Sequence, residues 1–140
     1  MTLVWPSDLP RPRRDGHRSQ PMDPRLRKSA ETGPPGWRRR YSSVARSVAL
    51  VLDLSRAQKA VFDNFHAEAT AYGTLPFTMP DPTTDGWPML TGDGAPLLTQ
   101  TGAPILLAAT WLCLFGDQPP AESMVGGVTF RISFSVLVMP

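Results

Sequence analysis

The sequence predicts an α+β fold: one helix packed on a largely antiparallel β-sheet, sandwich- or barrel-like, with an extended N-terminal arm and an inserted β-hairpin. Three observations predict it. Val128, Phe130, Ile132, Phe134, Val136 and Val138 alternate with Thr129, Arg131, Ser133 and Ser135, the period of two that marks a half-buried strand. Ala57, Val61, Phe62, Phe65, Ala69 and Tyr72 fall at helical spacing, with Lys59, Asp63, Asn64 and Glu68 mostly on the other face. Sixteen prolines and eleven glycines in 140 residues make up about 19% of the chain, against a usual level of roughly 12%, so a compact helical bundle is excluded.

Residues 1–40 carry no periodicity. Prolines at 6, 10, 12, 21, 24, 34 and 35 forbid a long helix and remove ladder donors. The segment reads as an extended Arg/Pro-rich arm that orders on something else or not at all. Trp5 and Trp37 are costly to leave in water and are expected to dock into grooves. Residues 1–46 hold eleven Lys/Arg against four acids, and residues 47–140 hold three against eight. A basic arm and an acidic remainder suit contact with nucleic acid or with the acidic part of a neighbouring copy.

Residues 41–140 read as the folded domain. Val44, Arg46, Val48, Leu50 and Leu52 share one register, which predicts a strand ending near Asp53. Ser55 is placed as an N-cap, and Gln58 three residues later completes a capping box, opening a helix over residues 55–72. Gly73 is placed as its left-handed C-cap. Leu75, Phe77 and Met79 alternate until Pro80-Asp81-Pro82. Within about residues 83–104, Leu90-Thr91-Gly92-Asp93-Gly94-Ala95-Pro96-Leu97-Leu98 superposes on Leu98-Thr99-Gln100-Thr101-Gly102-Ala103-Pro104-Ile105-Leu106 with a period of eight. Two copies are too few for a solenoid and predict an inserted hairpin. Residues 105–115, apolar on both alternating faces, predict a central strand covered on both sides, and residues 116–127 a loop.

The chemistry-bearing residues are few. His17 lies in the arm, and His66 reads as a boundary residue of the helix. Cys113 stands among apolar neighbours with no cation to lower its pKa, so it predicts packing rather than nucleophilic chemistry. Being the single cysteine, it also excludes a disulfide framework within one chain. Asp81, Asp85, Asp93 and Asp117 sit beside Gly or Pro as turn formers, and no phosphate-binding Gly-rich loop is present. The reading is of a protein that is not an enzyme, with no catalytic, cofactor or metal residues. It also predicts no secretory signal and no membrane-spanning segment, since residues 105–115 fall far short of the ~20 needed. Arg38-Arg39-Arg40 could neutralise phosphates, but no helix or ribbon is foreseen to carry them into a groove. The expected role of Trp5, Trp37, Arg38, Arg39 and Arg40 is therefore subunit contact, since Arg suits interface ion pairs.

Arg40-Tyr41, a strand leading into Leu54-Ser55-Arg56, a helix carrying Phe62 and Phe65, Gly73, Phe77, a Pro80 turn, Trp111 and a closing strand at residues 128–138 together resemble the minor tail proteins of long-tailed bacteriophages. The resemblance is to the family that contains minor tail protein M of phage lambda and is related to the distal tail proteins. It spans residues 38–138, and the Arg/Pro arm and the eight-residue repeat depart from it. It implies a structural protein of the virion tail, assembled in the bacterial cytoplasm. It further implies a homo-oligomeric ring of six copies joining tail tube to tail hub and tip, with no cofactor and no membrane partner. Two alternatives stand beside it: another tail or neck ring such as the tail terminator, and a small nucleic-acid-binding protein using its Arg-rich arm.

Overall fold

The computed structural model describes residues 2–140. In chain order the elements are β1 (Leu3–Val4), β2 (Arg18–Pro21), β3 (Arg25–Lys28), β4 (Gly36–Arg39), β5 (Arg46–Leu54), α1 (Arg56–Asn64), β6 (Phe77–Pro80), β7 (Thr110–Phe115), β8 (Ala121–Val125) and β9 (Thr129–Val138). Seven strands form one mixed sheet in the order β1-β6-β7-β9-β5-β2, with β8 also paired to β9; β3 and β4 form a separate ribbon. All pairings are antiparallel except β1 with β6. The fold is α+β as expected, and the sheet is open rather than a closed barrel.

The two long alternating stretches pair with each other. β5 lies along β9 from Arg46↔Val138 to Leu54↔Phe130, setting Val48 opposite Val136, Leu50 opposite Phe134 and Leu52 opposite Ile132. A shift of one residue would turn every one of these apolar side chains to the other face, so burial fixes the register. On the buried face they join Phe77, Met79, Trp111, Cys113 and Phe115 of β6 and β7. The opposite face carries the cross-strand pair Asp53↔Arg131.

The helix starts as its sequence dictates. The Ser55 side chain accepts from the Gln58 N–H, and the Gln58 side chain accepts from the Ser55 N–H. Its end differs from the regular helix expected over residues 55–72. After Asn64 the backbone widens into a π-helical turn, Phe65–Ala69, closed by the Thr70 N–H on the Phe65 carbonyl at 3.0 Å. Phe62 and Phe65 are both buried on the sheet. Thr70, fully buried, donates its hydroxyl to the His66 carbonyl at 2.7 Å and accepts from the Gly73 N–H at 3.1 Å. Ala71, Tyr72 and Gly73 are then all left-handed, at φ 51°, 56° and 87°. Gly73 is left-handed as expected but is not the helix cap, which is Thr70, with Ala71 opening the left-handed stretch; a Cβ at Gly73 would stand 3.1 Å from that of Phe115.

The first forty residues do not behave as one arm. Trp5 is only 6% exposed. Its ring stacks on Phe77 and Phe134, with centroids 5.8 and 5.7 Å away, and meets the rings of Phe62 and Phe65 at steep angles, 6.0 and 5.5 Å away. Leu9 is buried beside it, and the Trp5 N–H donates to the Thr78 carbonyl. Residues 3–21 supply edge strands on opposite sides of the sheet, β1 on β6 and β2 on β5. The boundary expected at residue 40 is thus crossed by the core itself. Sequence periodicity misses this because strands of two and four residues are too short to show a period.

Two further expectations are corrected. Residues 105–115 are not one doubly covered strand: Ile105 and Leu106 belong to the insertion, and β7 buries only Trp111, Cys113 and Phe115 on one face. The loop expected at residues 116–127 contains β8, which turns into β9 through the left-handed Gly126 and Gly127.

The insertion holds three repeat units rather than two. Pro88-Met89-Leu90 precedes Pro96-Leu97-Leu98 and Pro104-Ile105-Leu106 at the same period of eight. The N–H of Leu97 donates to the Met89 carbonyl, that of Ile105 to the Leu97 carbonyl and that of Met89 to the Ile105 carbonyl, all at 2.8–2.9 Å. The hydrogen bonds close a pseudo-threefold ring. Thr91 to Ala95 and Thr99 to Ala103 close two corners; Leu107 to Trp87, where the chain enters and leaves, closes the third. A period of eight with a Pro and a Gly per unit closes on itself after three units, which two copies alone do not reveal.

Candidate functional site

Four of the five expected interface residues come together. Trp37, Arg38 and Arg39 lie on β4, and Arg40 follows directly. Trp5 does not join them: it docks into a groove as expected, but the groove is the core of its own chain, so it is withdrawn as a subunit contact.

The ribbon grows out of the sheet edge. β2 pairs with β5 in one register, and the pairing continues through the Met22 N–H on the Ala45 carbonyl. It then resumes three residues out of step, with the Arg40 N–H on the Pro24 carbonyl, and runs from Arg25↔Arg39 to Lys28↔Gly36. Pairing rows alternate between the two faces of a ribbon. Arg25, Arg27, Trp37 and Arg39 therefore share one face, and Leu26, Lys28 and Arg38 the other. Every residue of both strands is exposed. The Arg25 guanidinium lies 4.2 Å from the Trp37 ring centroid and pairs with Asp23 at 2.9 Å, which holds the Asp23 carboxyl below its ordinary range. Arg27, Lys28, Arg38, Arg39 and Arg40 have no acidic partner among the described residues. The sequence foresaw no ribbon here; Pro24 and Pro35 lie just outside the paired strands, where no ladder donor is needed, and so do not prevent one.

Elsewhere several cations are structural. Asp53 accepts from Arg131 at 2.9 Å and from Arg13, which also grips Asp15. These bonds, led by that from Arg131, hold the Asp53 carboxyl below its ordinary range. Arg11 donates to the carbonyls of Pro82 and Asp85, and Arg14 lies over Trp87 at 5.3 Å, so the N-terminal segment straps the root of the insertion. Asp81 accepts from the Thr83 N–H and hydroxyl, as a turn former does, whereas the Asp85 carboxylate reaches across to accept from the Ala109 N–H and ties the two ends of the insertion together.

Cys113 is fully buried, its thiol pushed up to about 12 by that burial. His66 packs edge-on against Phe115 at 4.8 Å, and burial lowers its pKa. Among the described residues no three His, Cys, Asp or Glu side chains converge as metal ligands, and no helix is long and apolar enough to cross a membrane. No protein-family model matches the chain, and no curated protein is detectably similar to it in sequence.

Proposed function

We propose that this chain is a structural component of a bacteriophage tail, or of a phage-like particle: a distal or minor tail protein whose copies form a ring joining the tail tube to the tail tip. The observation that carries the reading is that the sheet keeps unlike open edges. β1, β2 and β8 each pair on one side only, and of these β1 is just two residues long. β8 and its turn expose Met124 (67%) and Val128 (79%), whereas β2 carries Arg18 and Pro21. An open apolar edge invites strand pairing. One patch meeting a different patch on the next copy gives a head-to-tail contact, which closes into a ring when the rotation allows. The residues behind the phage resemblance add support, because Phe62, Phe65, Phe77, Trp111 and the strand β9 all contribute to one core. An inaccessible Cys113 suits a role in assembly rather than chemistry. By the same resemblance the ring has six copies, its partners are tube and hub proteins, and it resides in the virion tail.

The test is sedimentation and negative-stain imaging of the pure protein, with mass spectrometry of tails purified from a lysate. Closed rings and presence in tails are expected. Met124→Glu with Val128→Glu should give folded monomers with an unchanged circular-dichroism spectrum. A protein that is monomeric at every concentration and missing from tails would overturn the reading.

A further inference from the structure

We infer that the β3–β4 ribbon is a binding site for double-stranded DNA, entering the major groove and holding the phosphates on its two walls. The inference rests on the ribbon alone and not on ring formation. Residues 24–40 hold six cations, Arg25, Arg27, Lys28, Arg38, Arg39 and Arg40, against the single acid Glu31. Only Arg25 is neutralised, by Asp23. Five unpaired cations on a hairpin of four paired rows repel one another, and an isolated two-stranded hairpin is marginal in water at best. No side chain of either strand is buried to offset this. The arrangement is relieved by a polyanion that reaches both faces at once, since Arg27 and Arg39 project from one and Lys28 and Arg38 from the other.

Shape selects among polyanions. A two-stranded ribbon fits the major groove of B-form DNA, about 12 Å wide, and four rows span about 13 Å along it. A-form RNA presents a major groove too narrow for side chains to read. The acids of a second copy are a poorer match. Asp15, Asp23 and Asp53 are held by arginines, and Asp63 and Glu122 share Lys59. Of the others, Asp81 and Asp85 share one turn, where their carboxylates accept from Thr83 and Ala109, and Asp8, Glu31, Glu68, Asp93 and Asp117 lie on separate segments.

Fluorescence anisotropy of the full-length protein with a labelled duplex of about 30 base pairs tests this, titrated between about 50 and 200 mM salt. Binding should weaken linearly in log–log form, each phosphate contact adding about 0.9 to the slope. Changing Arg27, Lys28, Arg38 and Arg39 together to Gln should lower the slope by about three to four and the affinity at low salt at least about tenfold. The circular-dichroism spectrum and thermal midpoint should not move, because none of the four is packed in the core. A duplex RNA of equal length should compete at least about tenfold less well. Failure of the natural protein to bind the DNA duplex at low salt, or unchanged binding by the quadruple variant, would overturn the assignment. So would a variant that loses self-association in sedimentation while keeping DNA binding, since the ribbon's partner would then be a neighbouring copy.

Discussion

Residues 3–21 and residues 24–40 have nearly the same composition, each rich in Arg and Pro with one Trp, yet they take opposite places in the molecule. The first wraps the sheet: Trp5 and Leu9 enter the core, Arg13 grips Asp53, and β1 and β2 pair with β6 and β5. The second pairs only with itself and leaves Trp37 half exposed, capped by Arg25. What separates them is the apolar content around the tryptophan and the availability of an unpaired sheet edge. Leu3, Trp5 and Leu9 fall close enough together to cover one apolar face, whereas Trp37 stands between Gly36 and three arginines. An Arg/Pro-rich composition does not by itself make a segment an arm. A few apolar residues at the right positions turn it into part of the core.

The comparison can be broken most severely at Trp5. Trp5→Ala should cost about 3–5 kcal/mol, read as a lower urea midpoint, and should speed reaction of Cys113 with a disulfide reagent. In the natural protein that thiol, buried with its pKa pushed up to about 12, should react only on unfolding. A loss below about 1 kcal/mol would mean that the first segment is dispensable to the core. Next comes Ser55→Ala, expected to cost about 1 kcal/mol by removing the Ser55 half of the capping box; it should weaken the start of the helix, where the Gln58 side chain also donates to the Asp8 carbonyl of the first segment.

The fastening of the first segment should depend on pH. Arg131 and Arg13 hold the Asp53 carboxyl below its unfolded value. Their stabilisation is therefore complete above the ordinary carboxylate range and is lost as pH falls through the lowered folded value. The melting temperature should drop on acidification below about pH 4, and Asp53→Asn should be less stable at neutral pH with a shallower acid limb. An unchanged acid limb in Asp53→Asn would place the sensitivity at other carboxylates. The smallest effect is expected at Trp37→Ala, within about 0.5 kcal/mol; a cost as large as that of Trp5→Ala would erase the distinction between the segments.

The parts of the fold that the sequence made legible are those with enough residues to show a period. β9, with ten residues, and β5, with nine, were readable as alternations, and Ser55 with Gln58 announced the start of α1. The π-helical turn was not, because Phe65 and Ala69 fit an ordinary helix equally well and the widening depends on Thr70 and the left-handed Ala71 and Tyr72. β8 was hidden by alternating no apolar face: all but Val125 of its residues are exposed. The repeat at residues 90–106 was visible as a period, and its third unit keeps that period, with Gly86 and Pro88 eight residues before Gly94 and Pro96; the closure of the ring was not visible, because the bonds from Met89 to Ile105 and from Leu107 to Trp87 join its two ends and no local period announces them. At the candidate site the arginines were legible as a cluster on β4. Their opposite strand was not, since the pairing of Arg25 and Arg27 with Arg39 and Trp37 bridges a seven-residue loop and carries no pattern of its own.

Amide hydrogen exchange on the free, full-length protein tests the central distinction most directly, since it resolves local stability segment by segment. The fold predicts slow exchange where the first segment joins the sheet, at Val4–Trp5 and across residues 18–22, together with β5 and β9, and fast exchange throughout residues 25–39. Equal protection of the two segments, whether both slow or both fast, would contradict the division of the first forty residues into a part of the core and a free ribbon.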